Sequence, residues 1–486
     1  MPRVASRRAP PLRRISSLDA SNLRVESRGM PMTVAALAML EPAAGLVDAS
    51  GDLDMEAIRR HVASRVGGEP RLRQVLFPTR WWQGPPVWVP DARFDIESRV
   101  RRRAVPAPHD EAALLKLCSE LSRPGLDPTR SPWELWVISG CDDGSLAMLL
   151  RLHHVVADGA AALELFSALF DPAPERPRQA GGMPGGRPTG IPPAGPGPTA
   201  GRLFADNQRR VLETFWHGAR RFGGRLRRPA LLVRRLGGAL LVMKMLVAHG
   251  RAPALSFNRP VTAGPRELGL VRADLAAAKA AAHACGATVN DLLLAVIAHG
   301  VRALLAGRGE LVPGLVLHVS VPASLRPAGE AGASGNRVAV RPMWVPLDEG
   351  DPARRLAALA PATKAVRRLP PLQPSGALGQ RWVVRIMKRQ RLVNLILSNV
   401  AGPTEPLWFA GARVRELFQV GAAGVQGNLA ITVGALSYAG RLNLDVAADA
   451  ALVPDIHVFT QGVRQALDHL GCLPHDAGER VPAPGW

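Results

Sequence analysis

The sequence predicts a mixed α/β fold, and three features carry that prediction. Strand-like runs alternate with helix-like ones along most of the 486 residues, the order expected of layered sheets and helices. Apolar residues make up 47% of the chain, which fits a globular protein with a sizeable core rather than a disordered one. A long stretch dominated by proline and glycine, "DPAPERPRQAGGMPGGRPTGIPPAGPGPTAG" at 171–201, breaks the pattern and separates two regions of ordinary domain size.

In chain order, residues 1–15 form a basic arm rich in arginine and proline, without the continuous apolar core of a secretion signal. Within the first domain, 16–170, Ser145–Leu152 alternates as a strand and Ala160–Phe170 follows as a helix. The second domain, 202–486, opens on a helical, arginine-crowded segment at 202–250. Its most apolar piece, Ala230–Ala248, is interrupted by Arg234, Arg235 and Lys244, charges too costly for a membrane-spanning helix. Two readings stay open for it: an interfacial helix on anionic lipid, or a helix packed on the second domain with a solvated arginine face. Further along, Leu315–Pro322 is a strand, Pro352–Arg368 a helix and Leu395–Val400 a buried strand. Asn428–Val433 and Arg441–Ala447 pair as a hairpin through Ser437, Tyr438 and Gly440, and Pro454–Leu470 closes the chain as a helix.

The formal charge is +21 and is carried by arginine, since lysine occurs only at 116, 244, 279, 364 and 388. So large a bias reflects either a GC-rich coding style or an anionic partner such as phospholipid or a phosphate-bearing substrate. Nucleic acid is disfavoured, because the arginines accompany neither a groove-reading motif nor an aromatic stacking platform. The four cysteines, at 118, 141, 285 and 472, are scattered and form no CxxC pair. Neither a zinc site nor a disulfide framework is expected, and a reducing compartment fits.

The densest chemistry lies in "LRLHHVVADGAAALELF" (150–166), where His153 and His154 sit between the strand and the helix. A loop on a rigid strand end is a good mount for a catalytic base. An unperturbed imidazole titrates near pH 6.5, so near neutrality it is mostly able to accept a proton. Neighbouring residues at a strand end point to opposite faces, so one histidine faces a cleft while the other packs. A pair of hydrogen-bonded core histidines is the plainer alternative. Asp158 either caps the helix or holds the turn through a buried ion pair, and Gly159 lets the backbone turn sharply.

"HHVVADG" resembles the HHxxxDG signature of CoA-dependent acyltransferases related to chloramphenicol acetyltransferase and to nonribosomal peptide condensation domains. The whole chain resembles the bacterial bifunctional wax ester synthase/acyl-CoA:diacylglycerol acyltransferases. That resemblance runs through "LDASNLRVES" (18–27), "RSPWELWVISG" (130–140) and the double histidine to "TVNDLLLAVIAHGVRALL" (288–305). "VSVPASLRP" (319–327), "GNRVAVRPMWVPL" (335–347), "LSNVAGP" (397–403) and "LSYAGRLNLDVAAD" (436–449) continue it. It implies two mixed-sheet domains of the chloramphenicol acetyltransferase type, flanked by helices, with an active-site tunnel between them.

It further implies that His154 is the general base and His153 supports the loop, with Asp158 structural and paired to Arg326. Acyl-CoA is then the co-substrate, a lipid hydroxyl the acceptor, and no cofactor or metal is called for. The implied location is cytoplasmic, on a membrane or lipid inclusion. Asn290 and Asp291 open an apolar helix whose stripe is Leu292, Leu293, Val296, Ile297, Val301 and Leu304. From the residues alone Asn290 is a helix cap. The resemblance makes it a donor to the developing oxyanion and leaves Asp291 without a defined role. Ser398 and Asn399 serve either a turn or a substrate contact. Tyr438, Trp133 and Glu134 fix the fold.

The chain departs from its family at Ser131-Pro132-Trp133 (Pro-Leu-Trp), Asn22 (Phe), "SNVAGP" ("SNVPGP") and "FQVGA" at 418–422 ("YPVSP"). These changes spare the implied base and bear on chain preference. Two other functions fit the same pattern: an acyltransferase for a specialised lipid or polyketide alcohol, and a non-catalytic lipid-surface protein of the same fold.

Overall fold

The computed structural model describes residues 11–16, 19–20, 23, 26, 31–42, 46–47, 52–157, 159–174, 197–226, 250–324, 338–368, 390–420 and 425–474. Asp158, Arg326, most of the proline-rich linker and residues 227–249 of the basic segment lie outside the described residues. Among those described, two six-stranded mixed sheets form the frame, and the mixed α/β expectation holds.

The first large sheet contains β2 (Thr33–Leu40), β5 (Val100–Ala104), β6 (Trp133–Ser139), β7 (Leu146–His153), β12 (Trp408–Phe409) and β13 (Ala412–Val420). Their spatial order is β12-β13-β2-β7-β6-β5, with β5 and β6 parallel and the other pairs antiparallel. The second sheet contains β8 (Arg266–Asp274), β9 (Val316–Ser324), β10 (Val338–Pro346), β11 (Leu395–Ala401), β14 (Ile431–Tyr438) and β15 (Arg441–Asp449). Its order is β10-β9-β11-β14-β15-β8, and β11 runs parallel to both neighbours. A small sheet of β1 (Arg13–Arg14), β3 (Gln74–Phe77) and β4 (Val87–Pro90) flanks the first. The predicted hairpin is β14–β15, turned by Ala439 and Gly440, both at positive φ.

The predicted apolar helix spans Val289–Gly307, and all six residues of its stripe are fully buried. It is long and apolar enough to cross a membrane, but two thirds of it is inside the protein. Close approach explains the burial: a Cβ on Gly300 would lie 2.7 Å from the Phe459 carbonyl oxygen of the helix Ile456–His469. Glycine is what lets the two helices touch there.

The boundary expected at 171–201 does not divide the sheets. β12 and β13, from the C-terminal half, complete the first sheet by pairing β13 with β2, Phe418 opposite Leu37 and Val420 opposite Ala35. This covers an edge of β2 that would otherwise expose unpaired backbone groups, and Leu417 and Phe418 are fully buried by it. Asp171, the first linker residue, is itself buried, bridged to Trp408 and ion-paired with Arg65. The helix Ala200–Leu226, assigned from sequence to the second domain, is anchored on the first. Arg14 pairs with Asp206 at 2.6 Å and donates to the Leu203 carbonyl, while Asn207 donates to the carbonyl of Trp82.

Candidate active site

Strand β7 delivers the double histidine. Its partner β2 places Thr33 opposite His153, and the His154 N–H then donates to the Met32 carbonyl at 2.7 Å as the chain leaves the sheet. The His153 ring is completely buried, with both nitrogens engaged: Nδ1 accepts from the Val155 N–H at 3.1 Å, and Nε2 faces the Glu26 carboxylate at 2.9 Å. An Nδ1 that accepts carries no proton, so the proton sits on Nε2 and is donated to Glu26. His153 is thereby a brace between strand, turn and the segment before β2. His154 is half-buried at the mouth of the turn. The two rings have different environments, as alternation at a strand end requires.

Beneath this loop, Arg151 and Glu134 form a buried ion pair across β6 and β7, and Trp133 donates through Nε1 to the Leu72 carbonyl at 2.6 Å. Tyr438 donates to the Val414 carbonyl and accepts from the Leu407 N–H, tying the second sheet to β13. All these residues serve the frame, as expected.

The C-terminal half contributes a polar line. Asn290, exposed in the first turn of its helix, accepts through Oδ1 from Asn399 Nδ2 of β11 at 2.8 Å. That contact occupies the carbonyl end of the Asn290 amide and leaves its NH2 end as the donor. Ser398, next to Asn399, donates to Gln419 Oε1 of β13 at 3.4 Å. Gly402, at the end of β11, would place a Cβ 2.5 Å from the Ser437 carbonyl oxygen and 3.5 Å from Leu163. The helix Gly159–Ser167 that follows the histidines therefore abuts this strand.

Asp291 is buried and turned the other way, accepting from Thr288 and from Arg367 at 2.7 Å. Burial pushes its carboxyl up, but hydrogen bonds from Thr363, Arg367 and Thr288 outweigh that and hold it below the usual carboxylate range. It fixes the helix start. A group depressed in the folded state adds stability that is present above its unfolded pKa and lost as pH falls through the folded one. The melting-temperature gap between wild type and Asp291→Asn should therefore be full at pH 7 and close as pH drops below about 4.

Between the first sheet and the helix Gly159–Ser167 lies an apolar cavity of about 50 Å³, lined by Val34, Ala36, Leu150, Leu152, Leu163 and Gln419 among others. An open tunnel for two substrates is not seen among the described residues. Of the sequence-derived candidates, the structure links Asn290 to Asn399 and Ser398 to the first sheet, and separates Asp291 from them. Glu26 and Gln419 carry no role in the sequence reading, although Glu26 lies within 18–27 and Gln419 within 418–422, stretches that resemble the family or depart from it.

Comparison over the whole chain places it among known proteins. Residues 15–293 match the wax ester synthase/diacylglycerol acyltransferase catalytic domain, and residues 334–471 match the C-terminal domain of the same family. A Mycobacterium tuberculosis protein named probable diacylglycerol O-acyltransferase tgs1 is 29% identical over 483 residues, covering 94% of this chain and 95% of its own. The solved wax ester synthase/diacylglycerol acyltransferase from Marinobacter aquaeolei VT8 superposes with a TM-score of 0.64 at 20% identity, covering 94% of this chain and 98% of that one. The first condensation domain of the calcium-dependent antibiotic synthetase follows at 0.59 and 14%, covering 94% and 97%. At such identities the two structures speak for the fold alone. The two domain matches settle the family: the chain belongs to the wax ester synthase/diacylglycerol acyltransferases and is an acyltransferase.

Proposed function

We propose that the protein transfers a long-chain acyl group from acyl-CoA to the hydroxyl of a diacylglycerol or a long-chain alcohol, giving triacylglycerol or wax ester. His154 takes the hydroxyl proton as the oxygen attacks the thioester carbonyl, and returns it to the departing CoA thiolate. No covalent acyl-enzyme is needed. Holding both substrates together supplies part of the barrier reduction, and the base adds about 10²- to 10⁴-fold. The observation that carries this assignment is the full engagement of the His153 ring by Glu26 and Val155, which commits that histidine to support. Asn290, its amide oriented by Asn399, donates to the developing oxyanion.

Acceptor and product are insoluble in water, and we place the protein peripherally on a membrane or lipid inclusion facing the cytoplasm. Support comes from the helix Ala200–Leu226. Its first turns are pinned by Arg14 and Trp82, whereas Val211, Leu212, Phe215 and Trp216 stand 54–66% exposed, with Arg209, Arg210 and Arg220 also exposed. Apolar residues at helical spacing beside arginines suit an anionic lipid interface.

The test is free CoA release, read with a thiol probe, from palmitoyl-CoA plus dipalmitoylglycerol or hexadecanol in phosphatidylglycerol vesicles. Turnover with either acceptor is expected, and the double variant Phe215→Ser, Trp216→Ser should raise the apparent KM for the vesicle-borne acceptor at unchanged melting temperature. Silence with both acceptors overturns the reading. Turnover confined to another hydroxyl compound would identify a specialised acyltransferase.

A further inference from the structure

The acyl-transfer reading leaves one side chain of the cavity without a task. Gln419 uses its Oε1 for Ser398, but its Nε2 is buried and has no hydrogen-bond partner among the described residues. A buried amide donor left unmet is costly, and native proteins satisfy the great majority of them. The rest of the cavity lining is almost wholly apolar: Val34, Ala36, Leu150, Leu152 and Leu163 offer no side-chain acceptor. The NH2 group thus faces an alkyl-lined cavity with no acceptor for it among the described residues.

Sheet register fixes how far this donor lies from the reaction centre. Gln419 pairs with Ala36 and Ala36 with Leu150, so Gln419 stands abreast of Leu150, two strands away. His154 is four residues further along from Leu150. A rise near 3.3 Å per residue and a strand spacing near 4.8 Å put the two Cα atoms about 16 Å apart, roughly the length of a twelve-carbon chain. Leu150 and Leu152, on one face of β7, line the same cavity as Gln419.

We propose that Gln419 is a specificity-determining residue whose NH2 group donates to an oxygen carried on a substrate's alkyl chain, roughly ten to twelve carbons from the reacting group. The ligand class is an oxygenated long chain, bearing a hydroxyl or oxo group at that depth. This rests on the acyl-transfer reading and sharpens it, because a plain chain in the slot leaves the donor unsatisfied while an oxygenated one does not. Sites built to hydrogen-bond a substrate group reject analogues lacking it.

Either substrate can supply such a chain, so the experiment has two arms. 12-Hydroxyoctadecanoyl-CoA is compared with octadecanoyl-CoA on a common acceptor, and 1,12-octadecanediol with 1-octadecanol on palmitoyl-CoA. In one arm the oxygenated substrate should be favoured by about tenfold or more in kcat/KM, and the favoured arm names the source. Gln419→Met and Gln419→Leu each remove the amide donor while keeping apolar bulk in the slot. Both should abolish the preference while turnover of the plain chain is kept or raised. No preference in either arm, a preference that survives both variants, or variants that lose plain-chain turnover altogether would each overturn the proposal. A wild-type protein inactive on every pair defeats the acyl-transfer reading itself, which is a different and recognisable failure.

Discussion

Replacing His154 with alanine is expected to lower acyl-CoA turnover by at least about a hundredfold while leaving the melting temperature nearly unchanged. The backbone of the loop around it is held by hydrogen bonds that do not involve its ring. The His154 backbone N–H is held by the Met32 carbonyl, the His153 N–H by Pro132, and the Val156 N–H by the His153 carbonyl, all of which survive truncation of the side chain. His153→Ala provides the contrast. It removes a fully buried ring, strands the Val155 N–H and takes from Glu26 Oε2 its histidine donor, so turnover and melting temperature should fall together. The measurement is thiol release with the acceptor that wild type prefers, run beside thermal unfolding of both variants. Equal turnover by His154→Ala and wild type removes the base from the mechanism.

What the sequence made legible follows the range of the interactions involved. The helix Pro352–Arg367 starts where Asp351 caps it and Pro352 supplies its first turn, and the helix Val289–Gly307 starts at the reciprocal Thr288–Asp291 pair. Such signals are complete within a few residues. The brace on His153 is 127 residues away at Glu26, and nothing near either residue announces the other. The place of β13 in the first sheet is illegible in the sequence for the same reason. Its apolar run suits any buried strand, and only the open edge of β2 selects its place. The boundary at 171–201 rests on composition, which is silent on which sheet later segments rejoin. Asp291 differs: its partner Thr288 is only three residues away, and the structure gives this residue, which has no defined role in the sequence reading, the task of closing the helix start.

The largest stability loss should come from Glu134→Ala, at about 3–5 kcal/mol. Arg151 lies under the double histidine, 1% exposed, with its Nη1 on Glu134 Oε1 and its Nη2 on the Ser122 and Pro124 carbonyls. Burial drives its pKa down and Glu134 drives it back up, so removing the carboxylate leaves a buried guanidinium with only carbonyl partners and a penalty nothing offsets. Trp136 also loses its acceptor, since its Nε1 donates to the same Glu134 oxygen at 3.1 Å. Replacing both ends with apolar side chains, Arg151→Met with Glu134→Leu, removes the charge together with its counter-charge and should recover most of the loss. Urea unfolding of the two single variants and the double gives the coupling energy directly. A near-zero coupling would show that the pair is incidental to the strand, whereas a large one, with turnover restored in the double variant, would show that β7 needs a filled floor under His153 and His154 rather than a charged one.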